Sequence, residues 1–212
     1  MLRIFIALFI GMSAAHLISL ILLKRKLRIV TKICLMPLLL AVYISGADTI
    51  FIPIMIALIF GWWGDMFLLN ISERRFFKLG LASFLLGHLC YISSFLYTAG
   101  TLNVMALLVS IAAAVPFGVA ALLFTRPEKS MRLPALVYEI IIILMSLSAL
   151  QLLLARRDGW SLLVFAGSVC FLISDTLLAH FTFRTRLKRG DFFVMLFYIA
   201  AQSGIVWGMM RA

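Results

Sequence analysis

The sequence predicts an all-α polytopic membrane protein of about eight transmembrane helices, forming one domain over residues 1–212. Three observations carry this. Hydrophobic residues make up 65% of the chain and charged residues 13%, with a mean hydropathy of +1.16, more apolar surface than a soluble core can absorb. Apolar runs approach or exceed the roughly 20 residues that span hydrocarbon. The basic residues gather in the gaps between runs, and mainly in alternate gaps.

The runs are expected at 4–23, 33–47, 50–69, 76–97, 102–124, 133–154, 160–180 and 191–210. The second is the least regular: it is short, holds Pro37, and follows a basic gap from Lys24 to Lys32. It reads as a span drawn into its flanks or as a re-entrant segment. Pro116 predicts a kink in the fifth run. The first, third, fifth and seventh gaps hold 15 of the 19 Lys and Arg residues. With eight spans, this places those gaps in the cytoplasm and both termini outside. A partial internal repeat sets 61–97 against 171–207, aligning Asp65 with Asp175, Arg74 with Arg184, Lys78 with Lys188 and Gly80 with Gly190. An offset of four spans predicts two parallel four-helix halves.

Several function classes drop out. The net charge of +11 belongs to membrane loops and implies no nucleic-acid partner. Cys34, Cys90 and Cys170 lie in apolar runs at no metal-ligand spacing and imply no disulfide. There is no HExxH, GxSxG, phosphate loop or dinucleotide fingerprint. No metal and no cofactor are therefore expected.

Ionisable groups inside membrane helices are costly and mark candidate sites. Asp65 lies in Phe60-Gly-Trp-Trp-Gly-Asp65 and Asp175 in Cys170-Phe-Leu-Ile-Ser-Asp175, with similar surroundings. Counted by helix rise, Asp65, Asp175, Glu139 and Tyr198 occupy one layer in the cytoplasmic half, about 6–11 Å deep. Tyr138 precedes Glu139. His88 counts to about 18 Å, with Tyr91 on its face and Gln202 at a similar level. That depth sets His88 beyond direct reach of the aspartates unless its helix tilts, leaving a site role and a cross-bundle bond both open. Asn70 and His180 lie near the headgroups, Trp62 and Trp63 read as interfacial aromatics, and His16 reads as structural.

These blocks together resemble the YhhN family, whose animal members are lysoplasmalogenases. The resemblance rests on Gly64-Asp65-Met-Phe-Leu68, Gly80 with Phe84, His88 and Tyr91, Tyr138-Glu139 with Met145, Ser174-Asp175-Thr-Leu-Leu-Ala179, and Tyr198 with Ala201-Gln202. It implies an eight-helix integral membrane protein, here of a bacterial inner (plasma) membrane. The implied activity is cleavage of the vinyl ether bond of lysoplasmalogens, giving a fatty aldehyde and a glycerophospho-alcohol. Its partners are a lysophospholipid substrate, water and the bilayer. The implied catalytic residues are Asp65, Asp175, His88 and Glu139, with Tyr91, Tyr138, Tyr198, Gln202, Ser174 and Asn70 in support. Vinyl ether cleavage needs a general acid and a carboxylate facing the cation, which two carboxyl groups on different helices supply. Two other classes fit the same buried acids: a small or proton-coupled transporter, and a non-catalytic lipid-binding protein.

Overall fold

The computed structural model describes residues 1–71, 73–100, 104–184, 187 and 189–211. The described residues are all-α, with eight helices and no strand. In order they are α1 (Leu2–Ile21), α2 (Arg25–Gly46), α3 (Ile52–Leu68), α4 (Arg74–Ala99), α5 (Val104–Thr125), α6 (Arg132–Arg156), α7 (Gly159–Phe183) and α8 (Gly190–Met209), with a single 3-10 turn, Lys129–Met131, before α6. Six helices (α1, α2, α4, α6, α7 and α8) are long and apolar enough to cross a membrane, while α3 is apolar but only 17 residues long. The chain is thus a polytopic all-α membrane protein. The expected start of the fifth run at 102, and Lys188 of the internal repeat, lie outside the described residues.

Seven of the expected runs fall within three residues of a helix at each end that is described. The second does not. α2 begins at Arg25, not near Ile33, and its 22 residues are long enough to span. The basic stretch was expected as a gap because charge alone reads as loop. Arg and Lys are good helix formers, and their long stems can lie along apolar surface while the charged head reaches water or a buried partner.

Pro37 lies inside α2. It has no N–H to give to the carbonyl four residues back, which is Ile33. The indole Nε1 of Trp62 on α3 donates to that Ile33 carbonyl at 2.9 Å. A backbone acceptor orphaned by proline is thus satisfied by the neighbouring helix, the condition for tolerating proline in a membrane helix. Trp62 is half-buried and makes this bond between α3 and α2.

The helix pairs α3–α4 and α7–α8 pack closely. On α8, Gly204 and Gly208 are four residues apart, the small-residue spacing that lets backbones approach. A methyl group at Gly208 would stand 2.6 Å from the Trp160 carbonyl, and one at Gly167 on α7 would stand 2.8 Å from the Ala201 carbonyl. α1 is tied to α2 by His16, whose Nδ1 lies 2.8 Å from the Thr31 hydroxyl, so His16 is a structural contact as expected.

The two ends of the bundle differ. At one end Arg28 pairs with Asp191, Arg74 with Glu128, and the Arg184 guanidinium donates to the Phe124 carbonyl. These contacts join the connections α1–α2, α3–α4, α5–α6 and α7–α8, which are the four basic gaps. At the other end Asp48, between α2 and α3, pairs with Arg211 at the C-terminus. The α6–α7 turn is closed by a capping box in which the Asp158 carboxylate accepts from the Ser161 amide at 2.7 Å.

Trp62→Phe keeps an aromatic side chain, though a smaller one, and leaves the Ile33 carbonyl without a donor. We expect a loss of about 1–3 kcal/mol, the cost of a buried unsatisfied polar group, read as a lower unfolding midpoint in detergent. Adding Pro37→Ala restores the α2 backbone bond and should recover most of the loss.

Candidate functional site

The candidate site is built on α2, α3, α4, α6, α7 and α8. Asp65 is on the buried face of α3, 2% exposed. Lys32 on α2 is also buried, and its Nζ lies 3.2 Å from Asp65 Oδ1. The Tyr198 hydroxyl of α8 donates to Asp65 Oδ2 at 2.9 Å. Both carboxylate oxygens are therefore engaged, one by a cation and one by a phenol. One turn along α8 from Tyr198, Gln202 accepts from the Tyr91 hydroxyl of α4 at 2.6 Å.

Asp175 on α7 has a parallel setting with different partners. The Tyr138 hydroxyl of α6 donates to Asp175 Oδ2. His88 Nε2 on α4 lies 3.0 Å from that hydroxyl and 3.8 Å from Asp175 Oδ2. Glu139 is buried, and its Oε2 has no hydrogen-bond partner among the described residues. Glu139, Asp175 and Tyr138 line one cavity of about 30 Å³. Asp65, Asp175, Lys32 and Tyr198 line a second of about 70 Å³. Phe84 borders both. The Phe171 ring stands edge-on to His88 and to Tyr198, with centroids at 4.7 and 5.5 Å, and forms an apolar wall behind the two carboxylates.

His88 thus meets the site directly, which overturns the separation suggested by its depth. The depth count assumed level helix ends. α7 runs on to Phe183, so Asp175 stands about 12 Å from its helix end by rise, deeper than expected. The Tyr138 phenol bridges the rest. The structure brings together Asp65, Asp175, His88, Glu139, Tyr91, Tyr138, Tyr198 and Gln202. Ser174 is one step removed: its hydroxyl donates to the Val194 carbonyl at 3.0 Å and fastens α7 to α8 beside the cavity. Asn70 is exposed past the end of α3, where its carbonyl accepts from the Glu73 amide, and it is not part of this cluster. His180 stacks on Phe124 at 4.6 Å near the basic end.

Lys32 is the member that sequence reasoning missed. It sits last in a run of five basic residues and was counted with the loop. The available signal was its position, with Ile33 to Leu40 apolar except for Pro37 directly after it. Among the described residues no group of three or more His, Cys, Asp or Glu side chains is arranged to hold a metal ion.

A family model for the YhhN family matches residues 27–209. The chain belongs to the YhhN family. The matched region contains every residue of the cluster, Lys32 included, and leaves out α1. No match is found among the curated proteins or among the solved structures.

Lys32→Met removes the cation and leaves Asp65 buried without its counter-charge. Breaking a buried pair in this way costs about 3–5 kcal/mol. We expect a comparable fall in unfolding free energy in detergent, and recovery of most of it in Lys32→Met/Asp65→Asn. An additive double mutant would show that the two groups are energetically independent.

Proposed function

We propose that this YhhN protein is a lysoplasmalogenase-like ether hydrolase of the inner membrane. The supporting observation is the pair of buried carboxylates, each bonded by a tyrosine from another helix, lining adjoining small cavities near the arginine-rich end. Carboxyl groups in such a water-poor setting are the means by which a protein protonates carbon and steadies the cation that follows.

In this reading a carboxylic acid protonates the β-carbon of the vinyl ether, making an oxocarbenium ion. Water adds at the α-carbon and returns a proton to a carboxylate. The hemiacetal then breaks its C–O bond, releasing the aldehyde and the glycerophospho-alcohol. One water is consumed, and no electrons are gained or lost. Asp65, fixed by Lys32 and Tyr198, is the carboxylate that faces the cation. Asp175 and Glu139 share a cavity away from Lys32, and the proton passes through this pair. Tyr138 and His88 orient Asp175 and form a relay to it. The inner cavities have room for the attacking water and the ether bond but not for an alkenyl chain. The tail therefore lies outside them, against lipid-facing side chains.

The same reading takes all eight helices as crossing, with both termini outside and the basic end in the cytoplasm. It also takes the bundle as two parallel halves. Asp65 and Asp175 are 110 residues apart, as are His88 and Tyr198. Each aspartate is thus met by one side chain from the helix before it and one from the last helix of the other half: Lys32 and Tyr198 for Asp65, Tyr138 and His88 for Asp175.

Purified protein should release aldehyde from lysoplasmenylethanolamine. Asp65→Asn and Asp175→Asn should each lower turnover at least about 100-fold, the usual worth of a general acid–base group. His88→Gln should lose turnover at normal membrane abundance. Full turnover in both Asn variants would end the carboxylate mechanism, and flux in proteoliposomes without aldehyde would favour a transporter.

Orientation has its own check. Reporters at the N- and C-termini should both read external, and a cytoplasmic C-terminus would mean an odd number of crossings.

A further inference from the structure

We infer that the cavity at the basic end is a phosphate subsite that holds the headgroup of a lysophospholipid, a role that rests on the lipid reading above and names the part of the substrate it leaves unassigned. The cavity has a volume of about 350 Å³ and lies between the α1–α2 turn, the end of α3 and the start of α8. Its polar lining includes three arginines, Arg25, Arg28 and Arg189, against one carboxylate, Asp191. The rest is mainly aliphatic, with Leu20, Leu23 and Leu68 among the lining side chains. A basic concavity with apolar walls at a bilayer surface suits an anion carried on an apolar stem. Guanidinium groups match phosphate oxygens in geometry as well as in charge.

Its position ties it to the chemistry. Arg28 and Asp191 line both this cavity and the inner one that holds Lys32, Asp65 and Asp175. Arg28 and Lys32 are one helical turn apart, about 6 Å along α2. In a lysophospholipid the glycerol carbons separate the phosphate from the ether oxygen by roughly the same length, given ordinary bond lengths. A phosphate on Arg25, Arg28 and Arg189 therefore delivers the ether bond to the level of Lys32 and Asp65. Arg28 is paired with Asp191 at 2.7 Å. A phosphate competes with that carboxylate for Arg28, so Asp191 restrains binding.

The test measures binding of an uncleavable ligand to the full-length protein in detergent. A saturated 1-O-alkyl-glycerophosphoethanolamine is compared with the matching 1-O-alkylglycerol and with inorganic phosphate, by intrinsic tryptophan fluorescence. The phosphorylated lipid should bind at least about 10-fold more tightly than the alkylglycerol, the scale of one charge-assisted contact. Arg25→Gln/Arg189→Gln, both at exposed positions, should collapse that ratio, and Asp191→Asn should widen it. Equal binding of the two lipids, or a ratio that survives loss of both arginines, overturns the subsite. Inorganic phosphate binding as tightly as the lysolipid overturns the lipid assignment in favour of a free-anion site. Because the ligand cannot be hydrolysed, phosphate discrimination stands even if no vinyl ether is cleaved. Conversely, aldehyde release without discrimination removes the subsite and leaves the reaction.

Discussion

An ionised carboxylate buried as fully as Asp65 is costly without a counter-charge, and the Lys32–Asp65 pair meets that constraint. The pair needs α2 and α3 in a fixed register, which the Trp62 bond to the Ile33 carbonyl provides one residue away from Lys32. It needs the second carboxylate oxygen satisfied, which brings in Tyr198 from α8. One turn further along α8, Gln202 takes the hydroxyl of Tyr91 and so ties α8 to α4. Polar contacts around one buried charge thus tie four helices together. A half-satisfied version of those contacts would cost more than an apolar core, because an unpaired polar group is most expensive where water is scarce.

The helices were legible because hydropathy reports the solvent directly. Seven expected runs match observed helices, since lipid demands about the same length of apolar sequence each time. The start of α2 was not legible, because a charge at a membrane edge and a charge in a loop look alike in a sequence. Only the direction in which each side chain points separates Arg25 or Arg28 from a loop residue. Lys32 was hidden for the same reason. Asp65, Asp175 and Glu139 stood out because a carboxylate in apolar sequence has few innocent explanations. Their pairings did not, since Tyr198 is 133 positions from Asp65 and Tyr138 is 37 from Asp175. His88 was misplaced by a depth count that ignored uneven helix ends and the reach of a phenol. Asn70 failed for the opposite reason: it was near the site in sequence, and the helix ended before it could turn inward.

The two aspartates share a framework and differ in partners. Gly64 lies against Phe84, and Ser174 donates to the Val194 carbonyl, with the same offset of 110 residues between 64 and 174 and between 84 and 194. Lys32 stands beside one carboxylate only, and Glu139 shares a cavity with the other. Two buried carboxylates set apart by one cation and one extra acid have unequal environments, the condition under which carboxyl groups take different protonation states.

The contact between α7 and α8 has a consequence for traffic. Where Gly167 faces the α8 backbone and Gly208 faces that of α7, the two helices leave no gap through which a lipid chain could slide sideways. That flank of the bundle is a sealed wall. The basic-end cavity opens instead between the α1–α2 turn, the end of α3 and the start of α8, where Arg28 pairs with Asp191. Under the lipid reading proposed above, a headgroup would enter past that charged pair while its tail stayed outside the bundle.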